Sequence, residues 1–406
     1  MRVIIAGCGI GGAALALALQ RLDIDCLVLE QAGSLKEVGA GVQLSPNGVA
    51  VLKALGVHDA LAKVAFQPRD LLYRDWQTGE VLMSSPLMPQ IAEHFGAPYY
   101  HAHRADLLAV LTDSLAPGRV SLGRKLVRVE QNGERVIAHL ADGSTEEGDV
   151  LVGADGIHSL VRGQLFQADA PLSSGCVAWR GMVDARDAAH LGISPSAHIW
   201  MGPGHSVVVY YVSGGRKINW ICIGSSPANR KESWSATATV DEVLQEYKGW
   251  NAQVHDLVKL TPSLFVTALY DREPLNRWVN GRVALMGDAA HAMLPYHAQG
   301  AVQSMEDAWV LARVLQMSGG KIDAALDRYQ QLRLDRATRV QAQSRIAEKR
   351  FHMSDPAEVA LRNARFREYD AKFKGSYLPQ QEWLFGYDAE LAARGEDDKW
   401  RALRAW

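Results

Sequence analysis

Apolar positions fall in unbroken runs at the start of the chain and in short interrupted stretches through its middle. Residues 3–6 (Val-Ile-Ile-Ala) are apolar throughout, as a strand buried on both faces requires. Glycines follow, and residues 13–22, rich in alanine and leucine, predict a helix. A second apolar run at 26–29 ends in Glu30. The order strand, glycine turn, helix, strand predicts a β-α-β unit. From about residue 176 to 269, β-rich stretches at 177–183, 197–201, 207–212 and 218–223 alternate with glycine and proline turns, which predicts an antiparallel sheet. Val302, Met305, Trp309 and Ala312 recur at helical spacing within 301–315. Residues from about 320 to 374 predict helices of mixed charge. The arginines between Asp327 and Arg336 alternate with acids and read as a solvated face. Trp383, Phe385 and Tyr387 predict a tail anchored by burial.

The glycine turn, Gly7-Cys8-Gly9-Ile10-Gly11-Gly12, has the G-x-G-x-x-G spacing. Gly7 permits the tight turn, Gly9 lets backbone approach a pyrophosphate, and Gly12 lets helix and strand pack closely. The free N–H groups of the helix start would hold the anion. Glu30, 23 positions past Gly7, has the spacing of an acid that binds ribose hydroxyls. The unit therefore predicts a dinucleotide site without saying which dinucleotide.

Two later segments narrow the choice. Asp149-Val-Leu-Val-Gly-Ala-Asp155-Gly156 is an apolar strand ending in Asp-Gly, and Gly281-Arg-Val-Ala-Leu-Met-Gly287-Asp288 is another ending in Gly-Asp. With the glycine turn, these resemble the three signatures of the flavoprotein aromatic hydroxylases, the family of para-hydroxybenzoate hydroxylase. The likeness is nearest to salicylate 1-hydroxylase, 3-hydroxybenzoate 6-hydroxylase and 6-hydroxynicotinate 3-monooxygenase. It extends to Glu37-Val-Gly-Ala-Gly41 with Pro46-Asn47, to His103-Arg104-Ala-Asp106, to Tyr270-Asp-Arg-Glu-Pro274 and to Trp383-Leu-Phe-Gly-Tyr387.

The resemblance implies a Rossmann-like, α/β FAD-binding domain (1–75, 98–175 and 270–320) interlocked with an antiparallel-sheet substrate domain (76–97 and 176–269), then a C-terminal helical region (321–406). Asp288 would hold a ribityl or ribose hydroxyl, and Arg104 would reach the FAD phosphates. Asp155 and Gly156 would lie beside the pyrophosphate, and Gln43 would border the cofactor. Asp288 also reads as an ordinary helix N-cap. The helix starting at Gly300 and Ala301 would point its positive end at the flavin ring, where reduction places negative charge. The chain holds only one dinucleotide fingerprint, so NADH or NADPH would visit as a transient reductant. Oxygen carried at the flavin C4a carbon as a hydroperoxide would then reach a ring activated by a phenolic hydroxyl.

A pocket at the domain junction would hold that ring. Its expected residues are His205, Tyr210 and Tyr211 on the roof, with one tyrosine facing inward by strand alternation, and Pro295, Tyr296 and His297 beneath. Arg180, Arg216 and Lys217 could meet a carboxylate, although surface solvation is the simpler reading of each. Tyr296 and Gln43 stand where the hydroxynicotinate enzyme has histidines, which weighs against a pyridine acid. The expected substrate is salicylate, giving catechol and carbon dioxide. 3-Hydroxybenzoate, urate or a pyridine acid are alternatives, as is a non-catalytic FAD-binding protein.

Composition changes little. A net charge of −2 over 406 residues offers no field for nucleic acid or an anionic membrane. The four cysteines have no metal-like spacing, so no metal is expected and a reducing, cytoplasmic setting fits. The apolar N-terminus resembles a leader peptide, but its central glycines and the lack of a small-residue cleavage pattern argue against one. A small aromatic acid is the expected partner of a monomer or homodimer.

Overall fold

The first strand, Arg2–Ala6, pairs in parallel with Asp25–Glu30 on one side and Val150–Gly153 on the other. The three segments with the sequence signatures thus become neighbours, because Val150–Gly153 pairs in turn with Val283–Leu285. The computed structural model describes residues 1–35, 40–225, 238–376 and 379–403. Glu37, Val38 and Gly39 of the Glu37-to-Gly41 segment lie outside the described residues. The sheet has six strands, completed by Val120–Leu122 at one edge and Val279–Asn280 at the other. Val3, Ile4 and Ile5 are fully buried, as expected of a strand covered on both faces.

The second sheet has seven strands. Leu172–Asp184, Ala197–Gly202, His205–Val212 and Lys217–Ser225 are the predicted β-rich stretches. Leu264–Asp271 pairs with the first of them. Asp70–Asp75, grouped by sequence with the FAD-binding domain, instead pairs in parallel with Ala197–Gly202 and carries Val81–Pro86 at the sheet edge. A parallel partner more than a hundred residues away leaves no mark on local alternation, so this boundary was invisible in the sequence. The mixed α/β architecture is therefore the predicted one, with the crossing into the second sheet earlier than 76.

Helix Gly300–Met317 buries Val302, Met305, Trp309 and Ala312 between the first helix, Ile10–Arg21, and the long helix Ile322–Phe351. The long helix corrects one expectation. Arg333 and Arg336 are fully buried, not solvated, because acids from the neighbouring helix meet them. Trp383, Phe385 and Tyr387 are buried as expected. Cys8, Cys26 and Cys222 are buried. Burial, with Glu30 nearby, pushes the Cys8 thiol up to about 12, which makes it inert packing. Among the described residues no helix is long and apolar enough to cross a membrane.

Candidate active site

The glycine turn is shaped by close approaches. Gly7 has φ +100°, and a side chain there would meet the Ala154 carbonyl oxygen at 2.5 Å. A Cβ on Gly12 would lie 2.0 Å from the Gly7 oxygen, so the helix can sit this near the strand only without one. Above Gly9 there is open space, and Gly9 and Gly11 line a cleft of about 970 Å³. The helix start has no side-chain cap and no acid in its first turn, which leaves its N–H groups for a ligand anion. Glu30 accepts hydrogen bonds from the Cys8 and Ala32 N–H groups, both at 2.8 Å. It thereby fixes the turn, and its remaining lone pairs stay available to a ribose.

The other predicted cofactor residues converge on the same cleft. Arg104, Asp155, Gly156, Asp288, Gly300, Ala301 and Gln43 all line it. Asp288 is exposed to the cleft and is not a helix cap; Gly287 holds that position. The Asp155 carboxylate is occupied by its own loop. It accepts from the Ser159 hydroxyl at 2.5 Å and from the Leu160 N–H at 2.8 Å, so it shapes the turn rather than reaching outward. Helix Gly300–Met317 also starts without a side-chain cap or acid. Two uncapped helix starts therefore open into one cleft, a favourable setting for a pyrophosphate and for charge on a reduced ring. These residues fit FAD.

Farther from the glycine turn, the cleft becomes aromatic and apolar. Tyr73, Tyr99, Ile199, Tyr210, Ile223 and Leu269 form the roof, Pro295, Tyr296 and His297 the floor, and Trp383 and Phe385 a wall. The Tyr210 ring lies so close to Gly41 that a Cβ there would meet it at 2.6 Å. His101, buried and held neutral by burial with its value lowered to about 3, backs Tyr210 at 4.6 Å between ring centroids. Burial raises the hydroxyls of Tyr210 and Tyr296, so both stay protonated. Burial and the Arg350 charge lower His297 to about 4, so it is neutral near pH 7.

The structure resolves one roof expectation and changes two. Tyr210 faces the cleft, and Tyr211 faces away, donating to the Ile193 carbonyl at 2.8 Å. His205 does not reach the cleft. It lies on the far side of the sheet, 2.8 Å from Glu246 and packed on Tyr247, because strand alternation puts it with Tyr211. Arg180 is not solvated. It is 9% exposed, lines the cleft, and burial lowers its value to about 10. Arg216 and Lys217 are exposed, as expected.

A buried charged cluster under the cleft was missed by sequence reasoning. Asp307 accepts from the Gly287 N–H at 3.0 Å, from Arg333 at 2.7 Å, and lies 2.6 Å from His291. Glu306 accepts from Arg333 at 2.6 Å, from Arg336 at 2.8 and 2.9 Å, and from Asn47 at 2.7 Å. Arg336 also donates to the carbonyls of Trp383 and Leu384, each at 3.0 Å. Burial alone would push both carboxyls up, but the facing cations outweigh it and Asp307 sits at about 2. The cluster ties the Gly-Asp turn to the aromatic wall. Its signal in the sequence was the acidic pair Glu306-Asp307 on a largely apolar helix.

Residues 1–344 match the FAD binding domain family. The 3-amino-4-hydroxybenzoate 2-monooxygenase of Streptomyces cremeus is 37% identical over 391 residues, covering 96% of each chain. The 3-hydroxybenzoate 6-hydroxylase 1 of Aquipseudomonas alcaligenes is 36% identical over 366 residues, 89% of this chain and 92% of that one. A salicylate hydroxylase solved as a substrate complex superposes with a TM-score of 0.82 at 29% identity, over 98% of each chain. The resemblance read from the three motifs is thus borne out, and the chain belongs to the FAD-dependent aromatic-ring monooxygenases.

Proposed function

We propose that the protein hydroxylates a phenolic benzoic acid, with NADH or NADPH as reductant and molecular oxygen as oxidant. The observation that carries this reading is Arg180, a buried cation in an aromatic-walled cleft. A guanidinium on the cleft wall can meet the carboxylate of a benzoate whose flat ring fits between the aromatic walls. FAD, when bound, supplies the redox and oxygen chemistry. Residues of the chain do the rest. Tyr210, kept protonated by burial, donates a hydrogen bond to one of the substrate's oxygens. His297, kept neutral, accepts one from its phenol. The wall of Trp383 and Phe385 excludes water from the ring. Among candidate acids, 3-amino-4-hydroxybenzoate comes first, since relatives aligned over 96% of the chain carry that name, and salicylate second.

The test is a screen of NADH and NADPH oxidation over hydroxylated and aminohydroxylated benzoates, with product identification. The expected result is stimulated oxidation matched by a hydroxylated product. Arg180→Met should raise KM about 10- to 100-fold, the loss of a charged hydrogen bond worth about 1.5–3 kcal/mol, with flavin content unchanged. Stimulation that yields only peroxide with every acid tested, or an unchanged KM in Arg180→Met, would count against the proposal.

A further inference from the structure

Behind the floor of the cleft, three potential metal ligands of different type come together. Cys176, Glu348 and His352 place their ligand atoms within 4.8 Å of one another. They arrive from two distant parts of the chain. Glu348 and His352 are four apart at the end of helix Ile322–Phe351, and so share one face. Cys176 comes from strand Leu172–Asp184, where the pairing with Leu264–Asp271 shifts register between Ser173 and Val177. Such a bulge re-aims a side chain out of the regular alternation. The Ser206 hydroxyl lies 2.9 Å from His352 Nε2 and fixes the ring, as outer partners of metal-bound imidazoles do.

We propose that Cys176, Glu348 and His352 form a binding site for a divalent cation of the zinc type, with water as the fourth ligand. Thiolate, imidazole and carboxylate are the zinc donor set, at about 2.0–2.3 Å from the ion. Tetrahedral donors then lie roughly 3.3–3.8 Å apart, so closure asks for about 1 Å of side-chain movement, which a helix end can supply. The site touches the active site at Tyr296. The Tyr296 hydroxyl, on the cleft floor, donates to Glu348 at 3.4 Å. An ion bound to Glu348 competes with that bond and so reaches the substrate pocket.

The experiment titrates Zn²⁺ into the FAD-loaded full chain by calorimetry, beside Cys176→Ala and His352→Ala, with flavin absorbance confirming that each variant is folded. Saturable binding of one Zn²⁺, weakened at least tenfold in both variants, supports the site. Binding that is absent, or that either variant leaves within tenfold of the parent, overturns it. Should a variant fail to fold, iodoacetamide labelling of Cys176 in the unaltered protein decides. Zn²⁺ should slow labelling severalfold and a chelator should restore it, and labelling indifferent to Zn²⁺ overturns the site.

Discussion

Replacing Arg336 by methionine should destabilise the protein by about 3–5 kcal/mol, the range for removing one partner of a buried ion pair. The change keeps side-chain length and removes the charge. It takes two of the four hydrogen bonds that Glu306 accepts, and both donors to the Trp383 and Leu384 carbonyls. Glu306 and Asp307 are then left with Arg333 as their only guanidinium partner among the described residues, and all three side chains are fully buried. Against a typical total stability of about 5–15 kcal/mol the loss is large. At roughly 2–4 °C per kcal/mol it lowers Tm on the order of 6–20 °C. The assay is thermal and urea unfolding followed by circular dichroism and flavin fluorescence. Glu306→Gln and the double variant complete a cycle, and the two single losses should exceed the double loss by about 1 kcal/mol or more. A change in stability below about 1 kcal/mol, or full additivity, would refute the view that this cluster is a coupled unit. Since Arg336 holds the carbonyls of the cleft wall, the variant should also raise KM for the aromatic substrate.

Three further outcomes follow from the geometry. Gly12→Ala places a methyl 2.0 Å from the Gly7 oxygen, where contact needs about 3.5 Å, so the helix must retreat by more than 1 Å; the purified variant should lose most of its flavin absorbance. His205→Ala removes a contact to Glu246 on the far side of the sheet, so kcat and KM should stay within about twofold while stability falls by about 1 kcal/mol; a KM shift would mean that His205 reaches the substrate. Asp307 has a folded value of about 2, below the usual carboxylate value, so its contribution is present above about pH 4 and lost as pH falls toward 2. The urea midpoint should drop across that window, and drop less in Asp307→Asn.

The amino-acid sequence by itself determined the elements whose causes are local. The apolar run 3–6, the glycine turn and the run 26–29 are adjacent, and the packing of Gly12 on Gly7 follows from their spacing alone. The two strand ends at Asp155 and Asp288 were legible for the same reason, each being an apolar run with an abrupt polar stop. Tertiary structure decided everything that depends on partners far along the chain. Alternation said that one of Tyr210 and Tyr211 faces inward, but only the packed sheet chose Tyr210 and turned His205 away. Arg180, Arg333 and Arg336 look like surface residues in sequence. A guanidinium becomes a buried group only where the fold places an acid, a carbonyl or a ligand against it, and the acids that meet Arg333 and Arg336 lie 26–30 residues away on another helix. Periodicity reports which face of an element is apolar; it carries no information about which charges meet across the core.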